Sequence, residues 1–468
     1  VEVAKIDASS RPLWMLSASE LSAAYGNGLT PTDVLAATLD RIAEVNPALN
    51  AMVTLDADGA RRAAEASTQR WRTGSPVSPL DGVPVSIKDN ILVAGLRATW
   101  GSRLYGDFIP TTDELPVRRL REGGAVILGK TNVPEFTVHG FTHNRLFGTT
   151  GNPWNATLTP GGSSGGAVAA VSSGMGAIAL CTDGGGSIRR PAAHTGLVGL
   201  KPSRGMVPRG NGFPAILGDF EVAGPIARSV DDVLLAMDVI GGPKWRETQL
   251  ASSPSAAPVR IAYAPTFGEA PVDPLIRRTV DKTVEQLQSS GHVVTTIKPF
   301  NLAEPLDKIW PVISQTGVAW LLSQHTDWRD LVAPEIAEMA IAGAGLSAQD
   351  YLAALDAISA MRPGFEALFE QHDFLITPTT AAMPWPARET HPRTIDGKMV
   401  GPRGHAAFTP VANALGLPAI SLPCPIELGA MPIGFQVFAS WDRDRQLLDF
   451  AQTCERSLGA CWASFPDN

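Results

Sequence analysis

No stretch of this 468-residue chain holds the roughly 18 uncharged apolar residues that a membrane span needs, and no basic segment followed by an apolar signal core is visible. A membrane protein is excluded on that pattern, and a cytoplasmic location is the expectation. Cysteine is scarce. Cys181, Cys424, Cys454 and Cys461 are too few and too scattered for a disulfide framework and form no CxxC pair, so structural thiols are expected. Charge is thin as well, at 18% of residues, and the net charge of −8 comes without a run of one sign. Neither a nucleic-acid footprint nor a patch for anionic membranes is present, which leaves small molecules as the expected partners. Metal-ligand spacing is also missing. The eight histidines supply no HExxH pair, and His139 with His143 lacks a glutamate and a third ligand, so no metal or other cofactor is expected.

What is there is an ordinary globular composition, with 44% hydrophobic residues in a chain long enough for one large α/β core with additions or for two domains. Thr30, Pro31 and Asp33 open a helix whose apolar face is Val34, Leu35, Leu39 and Ile42, and Asn46 and Pro47 are expected to close it. Helix and strand then alternate. Residues 57–71 read as helix, 82–87 as a strand ending at Lys88, 117–122 as helix, 125–128 as strand, 165–173 as helix, 177–182 as strand and 198–200 as a further short strand. The alternation resumes with helices at 230–240 and 275–289 and strands at 259–263, 293–297 and 374–377, while 301–363 is helical with Trp310, Trp320 and Trp328 and 384–403 reads as loop. The expected fold is α/β, with a mixed, largely parallel central sheet flanked by helices.

Two motifs invite other readings. Gly124 to Thr131, GAVILGKT, fits a phosphate-loop pattern, but its middle residues form a buried-strand run instead of a glycine-rich turn that presents backbone N–H groups. Gly162-Ser163-Ser164-Gly165-Gly166 fits the nucleophile elbow with Ser164 at its centre, but an elbow follows directly on a strand. Here turn formers from Asn152 to Pro160 precede it.

Two glycine-serine clusters remain, GGSSGG at 161–166 and DGGGSIR at 183–189. Three glycines before Ser187 let the backbone turn its N–H groups toward a developing oxyanion beside the serine Oγ. Ser187 also follows an apolar strand, at the carboxyl end where open α/β sheets place ligands. In isolation, either cluster is an ordinary tight turn.

Together with Pro79-Leu80-Asp81-Gly82-Val83-Pro84-Val85-Ser86-Ile87-Lys88-Asp89, these clusters resemble the ordered motifs of the amidase signature family. The stretches 129–132, 413–419 and 432–436 extend the likeness over most of the chain, and it is weakest over residues 300–400. Position 184, a glycine here, more often carries threonine or another side chain in that family. The resemblance implies the amidase signature fold, divided into an N-terminal helical region (1–75), a core with the catalytic motifs (76–300), a variable helical and loop insertion near the active site (301–403) and the rest of the core (404–468). It also implies a triad of Ser187 as nucleophile, Ser163 after a cis peptide as relay and Lys88 as base. Backbone N–H groups from Gly184, Gly185, Gly186 and Ser187 would form the oxyanion hole, with Ser164, Asp183 and Arg189 in support.

A lysine near its ordinary pKa of ~10.4 is no base at neutral pH, but burial disfavours the charged form and lowers that value. Lys88 at a strand end could then draw a proton from Ser187 through Ser163 and return it to the leaving amine, with no cofactor. The expected activity is hydrolysis of an amide, ester or carbamate of a small molecule by a monomer or homodimer, with a urethanase or arylamidase role suggested by aromatics in the variable loops. Phe136, Phe141 and Phe213 are pocket candidates, joined by Phe147, Phe220 and the three tryptophans. Arg190 either binds a substrate carboxylate or pairs with a structural one. The second reading is an amidotransferase component that hydrolyses glutamine to supply ammonia to a partner complex.

Overall fold

In the computed structural model residues 11–251, 258–304 and 306–459 are described. The first long helix, Pro31–Leu49, begins as its sequence dictates: Thr30 Oγ1 accepts the Asp33 N–H at 3.2 Å, and Pro31 occupies a position where no N–H is needed. It does not stop at Asn46 and Pro47. Pro47 falls in the last turn, and the chain leaves the helix only at Asn50, in the left-handed region at φ 51°. Asn46 Oδ1 then accepts the N–H groups of Ala51 and Met52, which starts the next strand.

Eleven strands form one mixed sheet: β1 (Met52–Leu55), β2 (Pro84–Lys88), β3 (Val126–Thr131), β4 (Ile178–Asp183), β5 (Val198–Lys201), β6 (Val222–Ala227), β7 (Arg260–Tyr263), β8 (Val293–Thr296), β9 (Phe374–Pro378), β10 (Ala419–Pro423) and β11 (Gly434–Phe438). Their spatial order is β1-β3-β2-β4-β6-β5-β10-β11-β9-β7-β8. Helices flank the sheet, as expected for this α/β class. Parallel pairing occupies β3-β2-β4 on one side and β9-β7-β8 on the other. The middle is antiparallel, through β6, β10 and β11, which the apolar pattern alone does not single out. β6 carries Gly224 and Pro225 within it, and Pro418 and Pro432 lie just ahead of β10 and β11, so their periodicity is weak.

Within the stretch 124–131, Val126–Thr131 is strand rather than phosphate loop. Lys130 is buried against Asp89 at 3.2 Å and donates to the Ile91 carbonyl at 2.7 Å. The stretch 301–403 holds the helices Leu306–Ser323, Pro334–Ala344 and Ala348–Gln371, yet it also delivers β9 into the sheet between β11 and β7. Likewise β1, from the N-terminal part, edges the sheet. The segment 384–403 carries a two-stranded hairpin at Thr394–Ile395 and Lys398–Met399. Cys181, Cys424 and Cys454 are buried free thiols, while Cys461 lies outside the described residues. No helix among the described residues is long and apolar enough to cross a membrane.

Candidate active site

The parallel trio β3-β2-β4 brings two carboxyl strand ends side by side, Lys88 on β2 and Thr182-Asp183 on β4. Lys88 is fully buried. Its Nζ lies 2.8 Å from Ser163 Oγ, 3.0 Å from the Thr182 carbonyl and 3.0 Å from Thr182 Oγ1, which also accepts from Asn90 Nδ2 at 2.9 Å. A neutral amine is satisfied completely by this set, with its two N–H bonds on the oxygens of Thr182 and its lone pair on the Ser163 hydroxyl. Burial lowers the Lys88 pKa to about 8, although Glu221 and Asp183 pull it partly back up.

Ser163 follows a cis peptide and sits just ahead of the helix Gly165–Ser172. No strand leads into this serine loop, and the Ser164 hydroxyl turns to the Thr182 carbonyl at 3.5 Å, so Ser164 has none of the geometry of an elbow nucleophile. Its N–H instead donates to the Ser187 carbonyl at 3.2 Å, which ties the two serine loops together. Exposure grades outward along the trio. Lys88 is 0% exposed, Ser163 1% and Ser187 7%, so Ser187 is the member a ligand reaches first.

Asp183 organises the second loop. Its carboxylate accepts the N–H groups of Gly186 (2.6 Å) and Ile188 (3.1 Å) and two bonds from the Arg189 guanidinium at 3.0 Å each. Burial pushes this carboxyl upward, but Arg189, Lys201 and the Gly186 N–H outweigh it and hold it well below the usual range. Arg189 also reaches Gln436 Oε1 at 3.1 Å and Asn413 Oδ1 at 2.7 Å, and Asn413 Nδ2 donates to the Asp183 carbonyl at 2.7 Å. One expected oxyanion donor is thereby removed: the Gly186 N–H is consumed by Asp183. Those of Gly184, Gly185 and Ser187 carry no hydrogen bond among the described residues.

Arg190 donates to the carbonyls of Gly185 and Gly162 and to Thr409 Oγ1 and forms no ion pair with a carboxylate among the described residues, so the structural-carboxylate pairing offered for it is not found there.

A cavity of about 360 Å³ adjoins this loop. Leu217 and Glu221 of its wall face Gly184, where an added Cβ would meet them at 2.5 and 3.6 Å, and Asn90 of its lining is the residue bonded to Thr182. Phe213 lines it, stacked on Trp100 with ring centroids 4.8 Å apart. Phe136 is fully buried behind Trp100 at 5.4 Å, and Phe141 is buried beside His139, so neither forms this wall. Trp310 is buried next to Gly185 and Phe220, Trp328 is buried beneath Arg329, Phe147 lies under Arg97, and Trp320 is exposed. A second hollow of about 390 Å³ is lined by Lys244, Asp442 and Arg445 among others, none of which is described in contact with the serine loops, whereas Leu217 and Glu221 of the first cavity face Gly184. His143 bonds Thr149 across a short hairpin, and no group of metal-ligating side chains occurs among the described residues.

Sequence reasoning gave no role to Asn90, Thr182, Trp100, Arg209, Glu221 or Thr409. Asn413 and Gln436 lay inside quoted motif stretches, which was the available signal for them.

The fold and the family match define an amidohydrolase, a class of protein that cleaves carbon–nitrogen bonds. The chain belongs to the amidase signature family, whose family model, Amidase, matches residues 33–448. An acylamidase of Rhodococcus erythropolis is 33% identical over 95% of each chain. A glutamyl-tRNA(Gln) amidotransferase subunit from Symbiobacterium thermophilum is also 33% identical, over 93% of this chain and 96% of its own. Among solved structures, a bacterial aryl acylamidase of the same family superposes with a TM-score of 0.88 at 27% identity, covering 97% of this chain and 98% of its own.

Proposed function

We propose that the protein hydrolyses aryl amides or aryl carbamates through an acyl-enzyme on Ser187. The Ser187 Oγ attacks the substrate carbonyl and passes its proton to Ser163, whose own proton moves to Lys88 Nζ. The resulting oxyanion is held by the backbone N–H groups of Gly184, Gly185 and Ser187. Collapse breaks the carbon–nitrogen bond, and the amine leaves with the proton returned along the same relay. Water then attacks the acyl carbon by the same route and frees Ser187. The observation that carries this reading is the buried Lys88 amine 2.8 Å from Ser163 Oγ, on a serine loop bonded directly to the loop of Ser187.

The aromatic preference rests on the Trp100–Phe213 wall and on the likeness to the acylamidases. A glutamine-hydrolysing role in a larger complex is the second reading, favoured by the likeness to the amidotransferase subunits. The cavity speaks against it, because a free amino acid needs an uncommitted cation for its carboxylate and both arginines of the lining are already engaged by carboxylates. The test is intact-mass detection of an acyl or sulfonyl adduct on Ser187 after a phenyl ester or a sulfonyl fluoride, with kcat/KM measured for acetanilide, a phenyl carbamate, propionamide and glutamine. A preference for propionamide or glutamine overturns the aromatic reading, and an adduct on any other residue overturns the nucleophile.

A further inference from the structure

The polar lining of the cavity beside Gly184 includes two acceptors with no donor among the described residues. Asn90 is 2% exposed; its Nδ2 is spent on Thr182, and its Oδ1 has no partner. Glu221 gives one carboxylate oxygen to Arg209 at 2.6 Å and the other to no group among the described residues, with its side chain 18% exposed. The cations are committed. Arg209 is bracketed by Glu114 and Glu221, both at 2.6 Å, and Arg204 by Asp219 at 3.2 Å and the carbonyls of Asn413 and Ala414. The one unpartnered nitrogen of Arg204, Nε, lies against Gly416, which is not part of the lining. Three carboxylates therefore face two guanidinium groups, next to the stacked pair of Trp100 and Phe213.

A buried acceptor without a donor is costly, and a carboxylate with an open oxygen beside an apolar wall binds an N–H donor more strongly when that donor is charged. A substrate carboxylate in the same place would meet the excess negative charge and no free cation.

We propose that Glu221 and Asn90 form an ammonium subsite, so that the preferred substrates are amides carrying both an aromatic group and a free amino group. This rests on the amide-hydrolase reading and narrows its substrate class. Glu221 anchors the charge, Asn90 takes a second N–H, and the Trp100–Phe213 wall covers the ring. The ordinary alternative is that Glu221 only tethers Arg209 and that a water fills Asn90 Oδ1.

Calorimetric titration separates them with three ligands of one shape: phenethylammonium, 2-phenylethanol and phenylacetate, on the wild type, Glu221→Gln and Asp219→Asn. In the wild type the ammonium is expected to bind about tenfold tighter than the alcohol, with phenylacetate weakest. Glu221→Gln, which keeps an oxygen for Arg209, should bring ammonium and alcohol within about twofold, while Asp219→Asn keeps the preference. Equal binding of ammonium and alcohol by the wild type, tightest binding of phenylacetate, or an equal loss in both variants would overturn the subsite. Turnover is read separately with phenylalaninamide and 3-phenylpropanamide. Cleavage of both at the same kcat/KM also counts against the subsite. Cleavage of neither, with the binding order intact, sinks the hydrolase reading and leaves the subsite standing.

Discussion

At the scale of single residues, the chemistry turns on how far burial displaces one amine. In the proposed relay the neutral form of Lys88 is the active one, and burial lowers its pKa to about 8, so activity is expected to fall as protons are added. The expected kcat/KM profile rises about tenfold per pH unit from pH 5.5 toward 8 and levels off above it. A flat profile over that range would remove lysine as the base. Because the relay acts as a unit, Ser187→Ala, Ser163→Ala and Lys88→Ala are each expected to cost on the order of 10³-fold or more in kcat, and the double variant of Ser163 and Lys88 little beyond either single one. Ser164→Ala removes only a long bond to the Thr182 carbonyl, and the steady-state rate should fall modestly. Lys88, Ser163 and Ser187 are proposed from the order of three motifs that resemble the family, since either serine cluster alone is an ordinary tight turn, and the structure places Lys88 Nζ against Ser163 Oγ. The roles of Thr182 and Asn90 were not legible in the sequence, since Thr182 meets the Lys88 amine from the neighbouring strand and Asn90 bonds Thr182 Oγ1, and a linear pattern does not record which strand lies beside which.

At the scale of elements, the loop between β4 and the helix Arg189–Thr195 owes its shape to Asp183 and to one glycine. Gly186 has φ 112°, and a Cβ there would fall 2.1 Å from Thr409 Oγ1 and 2.5 Å from an Arg190 guanidinium nitrogen, both held in bonds. Gly184 has ordinary φ, and its added Cβ would press only on the end of Leu217, a flexible side chain at the cavity. Gly186→Ala is therefore expected to abolish turnover while Gly184→Ala stays within about tenfold of wild type, read as kcat on the same substrate. The usual threonine of the family at 184 fits that freedom. Asp183→Asn leaves the Arg189 charge buried without its partner, and a loss of about 3–5 kcal/mol in denaturant unfolding is expected. The alternation of helix and strand was readable wherever amphipathic helices and apolar strands were long enough. It failed at β6, β10 and β11, where Gly and Pro interrupt or precede the apolar run and a linear pattern does not record the antiparallel pairing.

At the scale of the whole molecule, no part of the described chain gathers metal-ligating side chains, and dialysis against a chelator is expected to leave kcat unchanged. Loss of activity restored by zinc would count against the serine relay. The sheet closes a long circuit, since strands from residue 52 to residue 438 form one surface. Asn413 and Gln436 complete the bonds of Asp183 and Arg189 from positions 230 and 247 residues further along the chain. During synthesis, then, the nucleophile loop is made long before the side chains that hold it in shape. A nascent chain halted ahead of Asn413 carries Lys88, Ser163 and Ser187 but leaves Arg189 without either of its two amide acceptors. The loop that carries the proposed nucleophile therefore reaches its full set of bonds only after residue 436 has been added.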